Sequence, residues 1–191
     1  MITTIKINAL NNGEKGYLIG LFFGDGYLHH DKGRHYRIYF YFNPKKDCDI
    51  VNYTILLLKK IQLSPYIMFH HGCIIIRINS KLFYNFLKFF QLQIYKANEN
   101  FIIGFIAGLI DSDGYVRKGD IVISNKSKTI LKKVQLFCKK IDIYSKLWNQ
   151  NTTYNGRIFT IWRLRIGTRF KYKQQYSRKI LRIYGGGDCL P

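Results

Sequence analysis

The sequence predicts an α+β fold of two pseudosymmetric αββαββα halves, each an antiparallel sheet with helices on one face. Three observations lead there. The pattern Gly16-Tyr-Leu-Ile-Gly-Leu-Phe-Phe-Gly-Asp-Gly-Tyr27 returns as Gly104-Phe-Ile-Ala-Gly-Leu-Ile-Asp-Ser-Asp-Gly-Tyr115, 88 positions on in a chain of 191 residues, with six of twelve positions identical. After each copy the hydrophobic periodicity runs in the same order: helix, two strands, helix, two strands, helix. The strand segments alternate apolar with polar residues, so each sheet offers one face to helices and leaves the other free.

Each motif copy reads as an apolar helix with small residues every fourth position; Asn12 fits as a cap for the first, and Asn98 or Asn100 for the second. In the first half, residues 28–35 read as a loop, 36–42 as a strand, 49–62 as a helix, 66–70 with 74–78 as a hairpin, and 81–91 as a closing helix. The counterparts are a strand over 121–124, a helix over 129–141, a hairpin within 146–166 turning at Tyr154-Asn155-Gly156, and a helix over 169–184. Local likeness supports this pairing. Lys59-Lys60-Ile61-Gln62-Leu63 matches Lys139-Lys140-Ile141-Asp142-Ile143 80 positions on, and Arg77-Ile78-Asn79-Ser80 matches Arg165-Ile166-Gly167-Thr168 88 positions on. Ile130, Val134, Phe137 and Ile141 give the second middle helix one apolar side. Ile38, Phe40 and Phe42 share one strand face, and Arg37, Tyr39, Tyr41 and Asn43 the other. In the last strand Thr160, Trp162, Leu164 and Ile166 point inward, and Ile161, Arg163 and Arg165 outward. The halves are then 1–97 and 98–184, and the glycine-rich 185–191 reads as a flexible tail.

Against 11 Asp+Glu the chain carries 31 Lys+Arg, a formal net charge of +20 on 22.6 kDa, which points to a polyanionic partner. The basic residues are interleaved with 15 Tyr, 14 Phe and 2 Trp, unlike a disordered basic tail, which is poor in aromatics. Composition therefore favours a folded, nucleic-acid-binding protein. Cys48, Cys73, Cys138 and Cys189 show no CxxC pairing, which argues against a zinc knuckle or disulfide frame and fits a reducing compartment. His29-His30 and His70-His71 lack the helical spacing of metal ligands. The first residues lack the make-up of a secretion signal, and the apolar run over 101–110 is 10 residues long, where a bilayer span needs roughly 20. The expectation is a soluble intracellular protein, in a prokaryotic cytoplasm or an organelle matrix, with no membrane partner.

Gly16, Gly20 and Gly24 lie on one helix face, as do Gly104, Gly108 and Ser112, so two such helices can approach with backbones nearly touching. Their C-terminal ends then bring together Asp25 and Asp113. Two carboxylates beside two negative helix termini repel each other, and repel a phosphate still more. A divalent cation resolves the conflict. Mg²⁺ suits carboxylate, carbonyl, water and phosphate oxygens, and phosphodiester hydrolysis is the chemistry that follows. A lone Asp-Gly pair at a helix end is ordinary termination chemistry; its duplication in matched context is what argues for a site.

Ile106-Ala107-Gly108-Leu109-Ile110-Asp111-Ser112-Asp113-Gly114 resembles the LAGLIDADG motif of homing endonucleases and related maturases. Leu18-Ile19-Gly20-Leu21-Phe22-Phe23-Gly24-Asp25-Gly26 is a looser copy. Two motifs in one short chain, with the αββαββα order through nearly all of it, resemble the monomeric, compact branch of that family. The resemblance implies sheets that form a DNA-binding saddle. It also implies that the acid at the eighth motif position, here Asp25 and Asp113, binds the metal, with the carbonyls of Gly24 and Ser112 as further ligands. Mg²⁺ is the implied cofactor, with Mn²⁺ able to substitute. Basic or amide residues that order the attacking water and the phosphate are, by position, Asn43 or Lys45 in the first half and Lys126 in the second, with Arg117 reaching in from just after the second motif. Each of these fits a plain phosphate contact or a solvated charge nearly as well. The sixth position is Asp111 in one copy and Phe23 in the other, and Asp111 takes a supporting role.

The outward residues Arg37, Tyr39, Tyr41, Arg77, Asn79, Arg163 and Arg165 are candidates for base edges in the major groove, where two-stranded ribbons fit. Gln150 and Trp148 extend this surface, and Trp148 fits the core equally. The function so implied is that of a monomeric, intron-encoded endonuclease cutting both strands of a long asymmetric double-stranded DNA site, with short 3′ overhangs. The alternatives are a maturase that binds its intron RNA and assists splicing, and a DNA-binding regulator without cleavage. Asp25 and Asp113 disfavour the last.

Overall fold

Asn11 starts the first helix. Its side chain accepts the Glu14 N–H at 2.8 Å, and Glu14 Oε2 accepts the Asn11 N–H at 2.9 Å. This reciprocal cap satisfies two donors that the first turn leaves unpaired. It displaces the cap expected at Asn12, which is instead the first helical residue. The structure, a computed structural model, describes residues 5–31, 35–93 and 97–184. The expected tail over 185–191, with Cys189, lies outside the described residues, as does part of the expected loop over 28–35.

The first half consists of α1 (Asn12–Asp25), β1 (Gly26–Asp31), β2 (His35–Phe42), α2 (Cys48–Lys60), β3 (Tyr66–His70), β4 (Cys73–Asn79) and α3 (Lys81–Gln93). In the second are α4 (Glu99–Asp113), β5 (Gly114–Arg117), β6 (Asp120–Asn125), α5 (Lys128–Lys140), β7 (Ser145–Tyr154), β8 (Arg157–Ile166), α6 (Phe170–Lys173) and α7 (Arg178–Tyr184). Each half holds one four-stranded antiparallel sheet, in the orders β1-β2-β4-β3 and β5-β6-β8-β7. The α+β fold read from the sequence is therefore the observed one. The repeat reaches the backbone: Gln62 and Asp142, each two residues beyond its helix, take left-handed φ values of 63° and 55°. His71-Gly72 and Asn155-Gly156 both close two-residue hairpins with positive φ at each residue, the turn that matches strand twist.

The core lies between the sheets and the helices and is centred on the α1–α4 pair. Every residue of α4 from Phe101 to Asp111 is buried. Ile38, Phe40, Ile76 and Ile78 meet this core from the first sheet, and Ile121, Ile123, Leu164 and Ile166 from the second. At the far end of β8 Thr160 is exposed and Trp162 only partly buried. The inward face expected there is thus open at Thr160, while Trp162 packs against the edge of the core with Lys128 Nζ 4.1 Å from its ring centre.

Two elements depart from the expectation. Residues 26–31 continue straight from the helix into an edge strand, paired from Gly26↔Phe40 to Asp31↔His35, where a loop was expected. Its polar run His29-His30-Asp31 gave no apolar alternation, because pairing to β2 rather than burial holds it. The closing helix expected over 169–184 is broken into α6 and α7. Gln174 Oε1 accepts the N–H groups of Tyr176 and Ser177 at 2.9 and 2.7 Å, so a side chain takes the donors that a continuous helix would send to carbonyls. Ser177 then restarts the helix by accepting the Ile180 N–H at 3.2 Å.

Candidate active site

The ends of α1 and α4 lie side by side because only glycine backbone separates them. Gly16 and Gly20 face the carbonyls of Phe101 and Phe105, and Gly104 and Gly108 those of Gly13 and Tyr17; a Cβ at any of the four would overlap backbone. At the last turn Gly24 lies against Ser112, and a Cβ there would stand 3.3 Å from Asp113 Cγ. Asp25 is thus carried beside Asp113. Burial, and then the Asp113 charge, push the Asp25 carboxyl up to about 7. Asp113 is also raised by burial, against a hydrogen bond from Asn125 and the charge of Lys179. The Asn125 amide donates to Asp113 Oδ2 at 2.6 Å, while its carbonyl accepts the Ser127 N–H at 2.8 Å.

A carboxyl whose folded pKa is raised binds more protons folded than unfolded, so its contribution to stability is present at low pH and is lost as pH rises through about 7. In EDTA, Asp25→Asn should therefore gain melting temperature relative to the wild type on going from pH 5.5 to pH 8. A difference between the two proteins that does not vary with pH would contradict the assignment.

Asp111 is 2% exposed and takes hydrogen bonds from four donors. Tyr17 Oη donates across the helix pair at 2.8 Å, Ser177 Oγ at 2.6 Å, and the N–H groups of Arg178 and Lys179 at 2.8 and 3.0 Å. A carboxylate on the second motif therefore seats the start of α7, which accounts for the support expected of it. Burial raises its pKa, and these bonds pull the other way. In the first copy Phe23 packs edge-on against Phe105 with ring centroids 5.5 Å apart. Asp111→Ala strands buried donors at about 1–3 kcal/mol each, so urea unfolding should show a loss of about 3 kcal/mol or more. A loss under about 1 kcal/mol would contradict this network.

From α7, Lys179 Nζ reaches back to donate to the carbonyls of Ser112 at 3.1 Å and Gly114 at 3.0 Å. Burial lowers its pKa, while Asp111, Asp47 and Asp25 raise it. One turn on, Arg182 donates to the Lys46 carbonyl at 2.6 Å and pairs with Asp49 at 3.0 Å, so α7 ties the second half to the first beside the acids. Asn43, Asp47, Tyr115, Lys179 and Arg182 line a cavity of about 420 Å³ at this junction.

Of the remaining expected residues, Asn43 lines the junction cavity with Lys179. Asn43 accepts the Lys45 N–H at 2.9 Å and gives its own N–H to Asp47 at 2.8 Å, the same turn that Asn125 makes to Ser127. The Lys45 side chain is exposed. Lys126 Nζ lies 5.8 Å from the centre of the Phe159 ring, toward the long hairpin. The Arg117 guanidinium is 5.9 Å from the Tyr115 ring.

Strand register places the candidate DNA contacts on the faces opposite the core. Tyr39 pairs with Tyr27 and Arg77, and Arg37 with His29 and Asn79. Arg163 pairs with Ser124 and Trp148, Arg165 with Val122 and Lys146, and Ile161 with Gln150. Trp148 is thus on the arginine face and not in the core. Tyr41, on the Tyr39 side, stacks with it at 6.4 Å. Arg77 lies 4.7 Å from the Tyr66 ring centre, Arg37 pairs with Asp31 at 3.2 Å, and Arg165 with Asp120 at 3.0 Å. Tyr27 and Tyr115, which end the two motifs, are 53% and 56% exposed, so each acid is followed by an outward tyrosine.

The donor set suits a hard divalent cation. Two carboxylates at negative helix ends are both raised in pKa by burial despite the charge of Lys179, and Asp25, Asp113 and the Gly24 carbonyl offer only oxygen. Among the described residues no group of three or more His, Cys, Asp or Glu gathers as a metal site, so such an ion would complete its shell with water and phosphate. Cys48, Cys73 and Cys138 are free thiols. None of the described helices is long and apolar enough to cross a membrane.

Residues 100–184 match the family model of the LAGLIDADG-like domain. The uncharacterized protein MJ0398 of Methanocaldococcus jannaschii is 29% identical over 140 residues, covering 70% of this chain; the chain spans about half (51%) of that relative's length. Among solved structures, mesophilic variants of the homing endonuclease I-DmoI superpose with a TM-score of 0.71 at 22% identity, over 88% of this chain and 92% of theirs. I-DmoI in complex with DNA and Ca gives 0.70 at 22% identity, over 88% and 92% of the two chains. The N-terminal LAGLIDADG domain of DUF199/WhiA gives 0.53 at 15% identity, over 85% of this chain and 80% of that one. Residues 100–184 thus match the LAGLIDADG-like domain, and the chain as a whole shares the fold of these solved structures.

Proposed function

We propose that this protein is a monomeric, Mg²⁺-dependent, site-specific endodeoxyribonuclease, an intron-encoded homing endonuclease acting inside the cell on a long asymmetric double-stranded site and leaving short 3′ overhangs. The observation that carries this reading is the acid pair itself. Asp25 and Asp113 converge through glycine-only helix packing, flanked by two sheet faces of Arg, Tyr and Asn. In complexes of the similarly folded I-DmoI the ligands are DNA with Ca or Mn, which supports the same class of partner here.

In this reading the two sheets straddle the duplex, and strand arginines take base edges while lysines take phosphates. The acids face the two scissile phosphates across the minor groove. Water adds to phosphorus as the bond to the 3′ oxygen breaks, the water losing a proton and the leaving oxygen gaining one. A divalent cation, when bound, supplies Lewis acidity to both oxygens. The chain's own part is positional. Asn125 fixes the Asp113 carboxylate, and Asn43 or Lys45, Lys126 and Arg117 order water and phosphate from the two sides.

The test is a cleavage selection: purified protein, Mg²⁺ and a library of randomised duplexes, with the cut ends sequenced. One long asymmetric site with staggered ends is expected; enrichment by binding with no cut ends at any Mg²⁺ or Mn²⁺ concentration would leave only a binding protein. On the selected duplex Arg163→Ala should cost about 1–3 kcal/mol and relax one base position, while Lys126→Ala should weaken all sequences alike and lower the salt slope by about 1. A salt titration on matched and mismatched duplexes separates the two.

A further inference from the structure

The ends of the two motif helices are hydrogen-bonded differently, although the charge of Lys179 acts on both acids. At the end of α4 the ammonium of Lys179 is hydrogen-bonded to the carbonyls of Ser112 and Gly114, which flank Asp113 on either side, at 3.1 and 3.0 Å. The Ser112 carbonyl is one of the oxygens that the motif would otherwise turn toward a metal. Asp113 itself has one carboxylate oxygen held by Asn125 at 2.6 Å. This lysine is not a loose surface side chain. Its backbone N–H is fixed on the buried Asp111 at 3.0 Å, and the helix that carries it is anchored at its other end by Arg182 on Lys46 and Asp49. On the α1 side the sixth motif position is Phe23, an apolar residue packed on Phe105, which cannot seat a helix as Asp111 does.

We infer that Lys179 is the built-in cation of the α4 end, so that in the DNA-free protein a divalent cation binds on the Asp25 side alone and the position beside Asp113 is held by the ammonium. This rests on the nuclease reading, which requires the acids to take a metal at all. The physical reason is charge balance. An ammonium at the carbonyls of a helix C-terminus offsets the negative end of the dipole and the adjacent carboxylate, and by occupying the Ser112 and Gly114 carbonyls it disfavours a second ion at the α4 end. Lys179 is a positioning residue in this account. It keeps Asp113 oriented and its helix end neutral until DNA arrives with phosphate oxygens of its own.

Mn²⁺ uptake by the whole, DNA-free protein, read from the free-ion EPR signal, tests the proposal without any reference to cleavage. Wild type and Lys179→Arg should take up Mn²⁺ alike, and Asp25→Asn should lose at least about tenfold in affinity. Lys179→Met should bind a second ion or bind about tenfold tighter. An unchanged or weaker uptake by Lys179→Met, with thermal melting showing it folded, overturns the inference. Asp113→Asn provides a measurement that does not depend on that variant: its loss should stay under about threefold, below the roughly tenfold floor for removing a group that supports a metal, and a loss as large as that of Asp25→Asn also overturns it. Failure of the nuclease reading looks different: wild-type protein that takes up no Mn²⁺ and cuts nothing in the selection defeats both, whereas uptake that depends on Asp25 and ignores Lys179 defeats this inference alone.

Discussion

Asp25→Asn should bind the selected duplex at least as tightly as the wild type and cut it at less than about 1% of the wild-type rate. Losing even a group that merely supports a metal ligand costs 10–100-fold, and Asp25 is placed to be the ligand itself. Affinity should hold or rise because the substitution removes a negative charge that faces phosphate from beside another carboxylate and two negative helix ends. The raised pKa of Asp25, about 7, comes from burial first and from the Asp113 charge second. Asp113→Asn is expected to behave similarly in cleavage, and its neutral amide keeps the bond to Asn125 feasible. Gel-shift and single-turnover cleavage on the same duplex read both quantities. Cleavage by Asp25→Asn at more than a tenth of the wild-type rate would remove that residue from the chemistry.

Gly20→Val should unfold more of the protein than any surface change. The added Cβ would run into the Phe105 carbonyl and close on Leu109 N at 3.0 Å, and both obstacles are helix backbone that cannot step aside as a side chain can. Overpacking of a core costs about 1–3 kcal/mol where side chains can yield; here a loss of about 3 kcal/mol or more is expected, a fall of roughly 6–12 °C in melting temperature. Gly119→Ala is the contrast. Its Cβ meets open space and its only penalty is a left-handed φ of 82°, roughly 1–2 kcal/mol. Should the two variants melt together, the helices do not pack as closely as the structure has them. The cleavage site depends on the same contact, because the distance between the acids is set by how near the two backbones come.

Much of this architecture was legible in the sequence because it is written twice. The duplicated motif, the repeated Lys-Lys-Ile segment and the alternation at Ile38, Phe40 and Phe42 each report a local period, and local periods survive without knowledge of the fold. The cap moved by one residue, from Asn12 to Asn11, because two adjacent asparagines compete and only the reciprocal bond with Glu14 decides between them. β1 escaped notice because an edge strand with His29, His30 and Asp31 is held by its ladder to β2 and has no apolar rhythm. Within the site, Asn125 had a signal that went unread: Asn43-Pro44-Lys45 and Asn125-Lys126-Ser127 make the same side-chain turn to the residue two ahead, which singles out the asparagine rather than the lysine after it. Lys179 had none. Its place beside Asp113 depends on Asp111 capturing a helix that begins 67 residues later, on a break at Gln174 to Ser177, and on Phe23 standing where symmetry would put a second acid. Contacts of that range leave no period in the chain.

The most direct measurement is the anomalous signal of Mn²⁺ in crystals of the protein bound to its selected duplex. A peak is expected in contact with an oxygen of Asp25, within about 2.5 Å, and with a phosphate oxygen at the cut position. A Mn²⁺ peak bound elsewhere, with Asp25 and Asp113 turned away from the DNA, would contradict it.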